Sequence, residues 1–292
     1  MQLAFPLELN RTGFQAHLTF LKDCGVEQVP LYFMMYNEDV TPMAPGTTLD
    51  RMLGLLAEHI ASIQETGMRS EVLYIDFRQK PADLCGSNED AQKWFSTLCH
   101  KSAQLGIKHI GFFPNNPTRE SASPEWDTEQ EAGYRFMARA ANEHDQAISV
   151  HLNMMAGSRY DTVADIDHLF QSVNEDNFGL LFCFGCVALA QLDLSEMIHH
   201  WHDRIFIVHL RDLNGSWAEG YTEEQFGHGR LKLNDHIQAL KDIGYTGILH
   251  PEHFPVMDCE IPIKQRPLFD HAWDRGTITT AWSLGFWRGR LG

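Results

Sequence analysis

The sequence has no apolar run approaching the 18 or so residues that a membrane-spanning helix needs, so no transmembrane segment is expected. Its opening, MQLAFPLELNRTGF, offers neither a basic start nor a long apolar stretch. No signal peptide is read there, and the cytoplasm is the expected compartment. Basic charge is scarce: 23 Lys and Arg stand against 39 Asp and Glu, a formal net charge of −16. That balance excludes the basic stripe of a nucleic-acid surface. It leaves room for a small anionic substrate, because an arginine or a metal ion in a cleft reverses the field locally. The six cysteines, Cys24, Cys85, Cys99, Cys183, Cys186 and Cys259, are scattered over 292 residues without a secretion signal, which argues against a disulfide framework. No GxGxxG follows the first strand candidate, and no P-loop occurs anywhere. Neither a low-complexity linker nor a shift of composition marks a domain boundary.

What the chain does have is a repeating alternation. Short apolar, β-branched segments at 3–7, 28–34, 70–76, 107–113, 147–152, 178–183, 204–210 and 246–251 read as strands. Between them, helical periodicity covers 12–23, 48–66, 89–105, 127–144, 161–173, 193–201, 232–242 and 275–289, with Gly67, Gly106 and Gly244 where helices should stop. A hydrophobic share of 43% supplies an ample core. Eight strands alternating with eight helices at about 36 residues per unit predict an α/β fold, the (β/α)8 TIM barrel, as a single domain over 1–292. A doubly wound open sheet is the alternative. In a barrel, chemistry belongs on the loops that follow the C-terminal ends of the strands.

Those ends carry metal-binding side chains. The fifth strand closes on His151 and Asn153, the sixth on Cys183 and Cys186, the seventh on His209, Arg211 and Asp212, and the eighth on His250, Glu252 and His253. Period-2 alternation puts His209 and Arg211 on one face. One donor per strand, His151, Cys183, His209 and Glu252, follows at intervals of 32, 26 and 43 residues, each compatible with one βα unit. Imidazole, thiolate and carboxylate together suit Zn²⁺, Mn²⁺, Fe²⁺ or Co²⁺ rather than Ca²⁺. Taken singly, a strand-end His is ordinarily a structural residue and a buried Cys a small hydrophobe. Four on successive strands form a pattern. Cys186 reads as packing or as an outer partner of the ligands, the HHWH run at 199–202 as a solvated face, and Gly227-His-Gly229 as a turn.

The segments IVHLRDL, Trp217-Ala-Glu219, FGHGRLKLNDHIQALKDIGYTG and the acidic-His pair at 252–253 resemble the xylose-isomerase-like barrel superfamily, and within it the mannonate dehydratase family. That family's His-Pro-Asp-Asp, Cys-x-Gly-Ser, His-x-Arg and Asp-His-x-Pro segments stand here as His151-Leu-Asn-Met, Cys183-Phe-Gly-Cys, His209-Leu-Arg and Glu252-His-Phe-Pro. The tail TTAWSLGFWRGRL resembles the family's closing helix. The likeness is good in the C-terminal half and loose in the N-terminal half. Asn153 and Met154 replace carboxylates, Glu252 replaces Asp, and no Tyr follows closely on Pro255.

The resemblance implies a divalent cation, Mn²⁺ or Fe²⁺ first, with Zn²⁺ or Co²⁺ as alternatives. It implies dehydration of an aldonate to a 2-keto-3-deoxyaldonate, as in hexuronate catabolism, and a homodimer. For that chemistry His253 is the first candidate for proton transfer and Arg211 for clamping a substrate carboxylate. Glu219 is a further catalytic candidate, and Asn153, Asp212 and His228 are candidates for substrate binding. A sugar isomerase or epimerase using the same metal is the alternative, with Glu8, Asp76 or Glu219 as a second carboxylate. A non-catalytic metal- or ligand-binding barrel is another. The partner in every reading is a small sugar or sugar acid, with no nucleic acid and no membrane. An endonuclease-IV-like role conflicts with the charge.

Overall fold

The alternation is realised in a computed structural model, which describes residues 1–8, 14–34, 47–76, 89–114, 116–255 and 277–291. These fall into two compact units, one formed by 1–5, 12–28 and 182–292, the other by 6–11 and 29–181. Cys85 and Cys259, and the first residues of the helix predicted from 12, lie outside the described residues.

The unit containing 29–181 is a parallel ladder flanked by helices. Its strands are β2 (Leu7–Glu8), β3 (Leu31–Met34), β4 (Val72–Asp76), β5 (His109–Phe112), β6 (Ala147–Val150) and the first residues of β7 (Phe178–Cys183). Each pairs with the next in parallel, for example Leu31 with Leu73, His109 with Ala147 and Ile148 with Phe178. The helices are α2 (Thr47–Glu65), α3 (Glu89–Gln104), α4 (Pro124–Asn142) and α5 (Val163–Val173). Strands covered on both faces need apolar residues at consecutive positions, and Val72, Leu73, Tyr74 and Ile75 are all fully buried. Helix starts follow the capping rules: the Ser123 side chain accepts from the Trp126 N–H with Pro124 in the first turn, and the Thr162 side chain accepts from the Asp165 N–H.

In the other unit, β1 (Gln2–Leu3) pairs in parallel with β11 (Ile248–Pro251), and β11 with β8 (Ile205–Leu210), placing His250 beside His209. The last residues of β7 lead directly into α6 (Phe184–Leu189). Helices α1 (Phe14–Asp23), α7 (Leu194–His200), α8 (Leu233–Asp242) and α9 (Thr277–Leu291) complete it, with an antiparallel hairpin of β9 (Leu213–Ser216) and β10 (Gly220–Glu223).

Two differences from the expected elements have local causes. The strand predicted over 3–7 is two pieces, β1 and β2, separated by Pro6, which has no N–H to give a ladder. The segment 213–223, not assigned to any element from sequence, is the β9–β10 hairpin. Among the described residues no helix is long and apolar enough to cross a membrane.

Candidate metal centre

The end of β8 sets the geometry. Alternation along this strand buries Ile207, His209 and Arg211 on one face. Beside it, β11 runs into Glu252, which is 3% exposed and brings its carboxylate to His209. The His209 Nδ1 lies 2.8 Å from Glu252 Oε2, and the His253 Nε2 lies 3.2 Å from Oε1. The Cys183 thiol, at the end of β7, donates to Glu252 Oε2 at 3.7 Å. His250 packs edge-on against His209, ring centroids 4.4 Å apart, so the paired register of the two strands makes it a packing partner of a candidate ligand.

Burial by itself would push the Glu252 carboxyl up. The neighbouring His209 and His253 imidazoles outweigh that and hold it well below the usual carboxylate range. A buried carboxylate touching an imidazole and a thiol, with a second imidazole at its other oxygen, is a donor set that fits a first-row divalent cation. His253 adopts a left-handed backbone, φ +54°, and its side chain is 36% exposed. A bulky residue held in this region is strained, and such strain collects at functional sites.

Arg211, 5% exposed, is fully engaged. Its Nε and Nη2 donate to the two carboxylate oxygens of Glu223 on β10, and its Nη1 donates to Cys183 Sγ at 3.6 Å and to Cys186 Sγ at 3.8 Å. In this arrangement the guanidinium edge faces Glu223 and the two sulfurs. Gly185 makes room for it: a Cβ there would stand 2.5 Å from Arg211 Nε. Asp212 is a loop staple. Its Oδ2 accepts from the Gly227 and Gly229 N–H groups at 2.8 and 3.0 Å, and its Oδ1 from Leu213 and Leu231 at 3.0 and 3.2 Å.

Two candidates of the same unit stand apart from this cluster. Glu219 is exposed in the hairpin turn, where its N–H donates to the Ser216 hydroxyl, and His228 is exposed near Trp282. In the other unit, His151 is buried immediately after β6 and stacks on Phe113 at 5.1 Å, with half-buried Asn153 two residues on. The side chains of Glu8 and Asp76 lie outside the described residues. Cys183, His209, Arg211, Glu252 and His253 are therefore brought together, and Glu219 and His228 are not. Sequence reasoning missed Glu223. The signal was present: an arginine predicted at a buried strand end needs a buried counter-charge, and Gly220-Tyr-Thr-Glu223 reads as the returning arm of a hairpin.

Parallel strands alternate with helices, and a thiol, an imidazole and a carboxylate stand at three strand ends of one unit, which is where a (β/α)8 barrel would carry its chemistry. The sequence model of the xylose isomerase-like TIM barrel family matches residues 18–266, and the chain belongs to that family. Over 143 residues, 45% of this chain, it is 29% identical to a mannonate dehydratase of Oceanobacillus iheyensis, the match spanning 40% of that relative's length. The structure of a mannonate dehydratase from Streptococcus suis serotype 2 superposes with a TM-score of 0.76 at 15% identity, covering 99% of this chain and 93% of that one. That of D-allulose 3-epimerase from Methylomonas sp. gives 0.67 at 15% identity, covering 100% and 98%. The two likenesses show the barrel fold along the whole chain.

Proposed function

We propose that the chain is a divalent-metal-dependent hydro-lyase that removes water from a sugar acid, in the manner named for its mannonate dehydratase relatives. The observation that carries this reading is the meeting of the Cys183 thiol and the His209 imidazole on one buried carboxylate oxygen of Glu252. The cation would supply positive charge for the enediolate-like oxygens that develop when the proton α to a carboxylate is lost.

The chain's own residues divide the rest of the work. His253, half-exposed and against Glu252 Oε1, is placed to accept or deliver a proton at its imidazole. Glu252 holds that ring through its second oxygen while the first faces His209. Arg211 contributes charge beneath Cys183, since its donors are turned to Glu223 and the sulfurs. Asp212 fixes the Gly227–Leu231 loop and acts through it.

One observation favours a sugar isomerase or epimerase as a second reading: the last strand ends in Glu252-His253, not Asp-His. Proton shuttling between carbons needs a second carboxylate at the site. Among the described residues, Glu223 is committed to Arg211 and Glu219 lies at the hairpin turn, so neither supplies that carboxylate.

The test is metal analysis of the purified protein together with a screen of sugar acids and ketoses with Mn²⁺ present. One bound cation per chain in the wild type, lost in Cys183→Ala, and formation of a 2-keto-3-deoxy acid support the proposal. Interconversion of ketoses without loss of water supports the epimerase instead. Metal binding without any turnover supports a non-catalytic barrel. A metal-free wild type, with Cys183→Ala fully active, overturns the site.

A further inference from the structure

We propose that Glu223 and Arg211 are positioning residues for the metal-binding sulfur: the hairpin carboxylate aims the guanidinium, and the guanidinium fixes Cys183 Sγ toward Glu252 and His209. The inference rests on the metal reading above and assigns a role to the β9–β10 hairpin, which carries Glu223.

Four observations converge on it. The Cys183 sulfur sits between two partners, accepting from Arg211 Nη1 at 3.6 Å and donating to Glu252 Oε2 at 3.7 Å, so its side-chain direction is fixed from both sides. The same Nη1 reaches Cys186 Sγ at 3.8 Å, which leaves both sulfurs of the Cys-Phe-Gly-Cys segment on one nitrogen. Glu223 holds the other edge of the guanidinium through both carboxylate oxygens, a bidentate fork that fixes the plane of Arg211 as well as its charge. Finally, the hairpin is itself anchored to α6, the helix that begins at the residue after Cys183. Arg230 donates to Gly215 O in β9 and to Ala188 O in α6, each at 3.0 Å. Gly185 completes the fit, because any side chain there would occupy the space of the guanidinium.

The physical reason is that a ligand's orientation is set by what surrounds it. Outer partners of metal ligands fix the ligand's rotamer, and their removal weakens metal binding without touching the metal. An arginine buried without its counter-ion is costly. Removing Glu223 therefore forces Arg211 to seek water or another acceptor, and Cys183 loses the restraint that Arg211 supplies.

Cobalt(II) titration of the chelator-stripped full-length protein tests this, read by the sulfur-to-cobalt charge-transfer absorption and by apparent affinity. Glu223→Gln is expected to weaken cobalt binding about 10- to 100-fold and to alter the charge-transfer band. Glu223→Asp is expected to recover part of both. Arg211→Lys, which keeps the charge but loses the fork, should resemble Glu223→Gln, and it carries the same test if that variant does not fold. Melting curves establish that each variant is folded. If folded Glu223→Gln and Arg211→Lys bind cobalt with wild-type affinity and an unchanged band, the positioning role is wrong while the metal site stands. If the wild type itself gives no sulfur-to-cobalt band, the metal reading fails and this inference with it.

Discussion

Asp165, in the first turn of α5, receives Arg119 and the Thr162 hydroxyl on one carboxylate oxygen and Arg159 at 2.8 Å on the other. Burial alone would raise its pKa, but these donors outweigh it and hold the carboxyl near 2. An unfolded aspartate protonates near 4. The folded state therefore gains stability from this group above about pH 4 and loses it as the pH falls toward about 2. Asp165→Asn is expected to lower the melting temperature at pH 7, with the gap to wild type closing between about pH 4 and pH 2. A gap that stays constant to pH 2 contradicts this. At Gly185, a methyl group would meet Arg211 Nε at 2.5 Å and Cζ at 2.7 Å. Gly185→Ala should cost about 1–3 kcal/mol in urea unfolding, and it should weaken metal binding in the same variant because Arg211 has to move. The strand-end positions of Cys183, His209 and Glu252 were legible one residue at a time, because alternation and strand length suffice to place them. Glu223 was not, because it is carried to Arg211 by a hairpin whose return path depends on the tertiary setting.

At the scale of elements, the loop after β10 depends on one carboxylate. Asp212 takes the Gly227, Gly229 and Leu231 N–H groups as well as that of Leu213. A Cβ at Gly229 would stand 2.1 Å from Asp212 Oδ1, so the glycine is required by this close approach. Asp212→Ala is expected to destabilise by about 3 kcal/mol, since the buried Leu213 N–H and three partly buried N–H groups lose a charged acceptor. Hydrogen exchange at the amides of Gly227, Gly229 and Leu231 should rise selectively, and protection unchanged from wild type would contradict the staple. The sequence-predicted helices and strands match the observed ones to within a few residues, because their period and caps are local properties. The elements that escaped prediction are short and depend on context. Helix α6 follows β7 with no intervening loop and is apolar throughout, so periodicity does not separate it from the strand. The hairpin β9–β10 is polar and largely exposed, without the apolar alternation that marks a strand.

For the whole molecule, the barrel was legible from the count and spacing of units, and the family match over 18–266 agrees with it. The reaction was less legible. The same fold occurs in a mannonate dehydratase and in a D-allulose 3-epimerase, and the choice turns on side chains whose roles depend on packing, as Arg211 shows. If a cation joins Cys183, His209 and Glu252, it also stabilises the fold by mass action, about 2.7 kcal/mol at a free concentration 100-fold above its dissociation constant. Chelator treatment is therefore expected to lower the melting temperature and added Mn²⁺ to restore it. The most direct measurement is proton NMR of the Mn²⁺-loaded protein acting on mannonate in D₂O. Loss of the C2 proton together with the C3 hydroxyl, followed by uptake of solvent deuterium at C3, gives a 2-keto-3-deoxy acid with one deuterium on its C3 methylene, and this is the result predicted. Deuterium exchanged into an otherwise intact sugar skeleton, with no loss of water, or no change in the spectrum at all, would contradict the account.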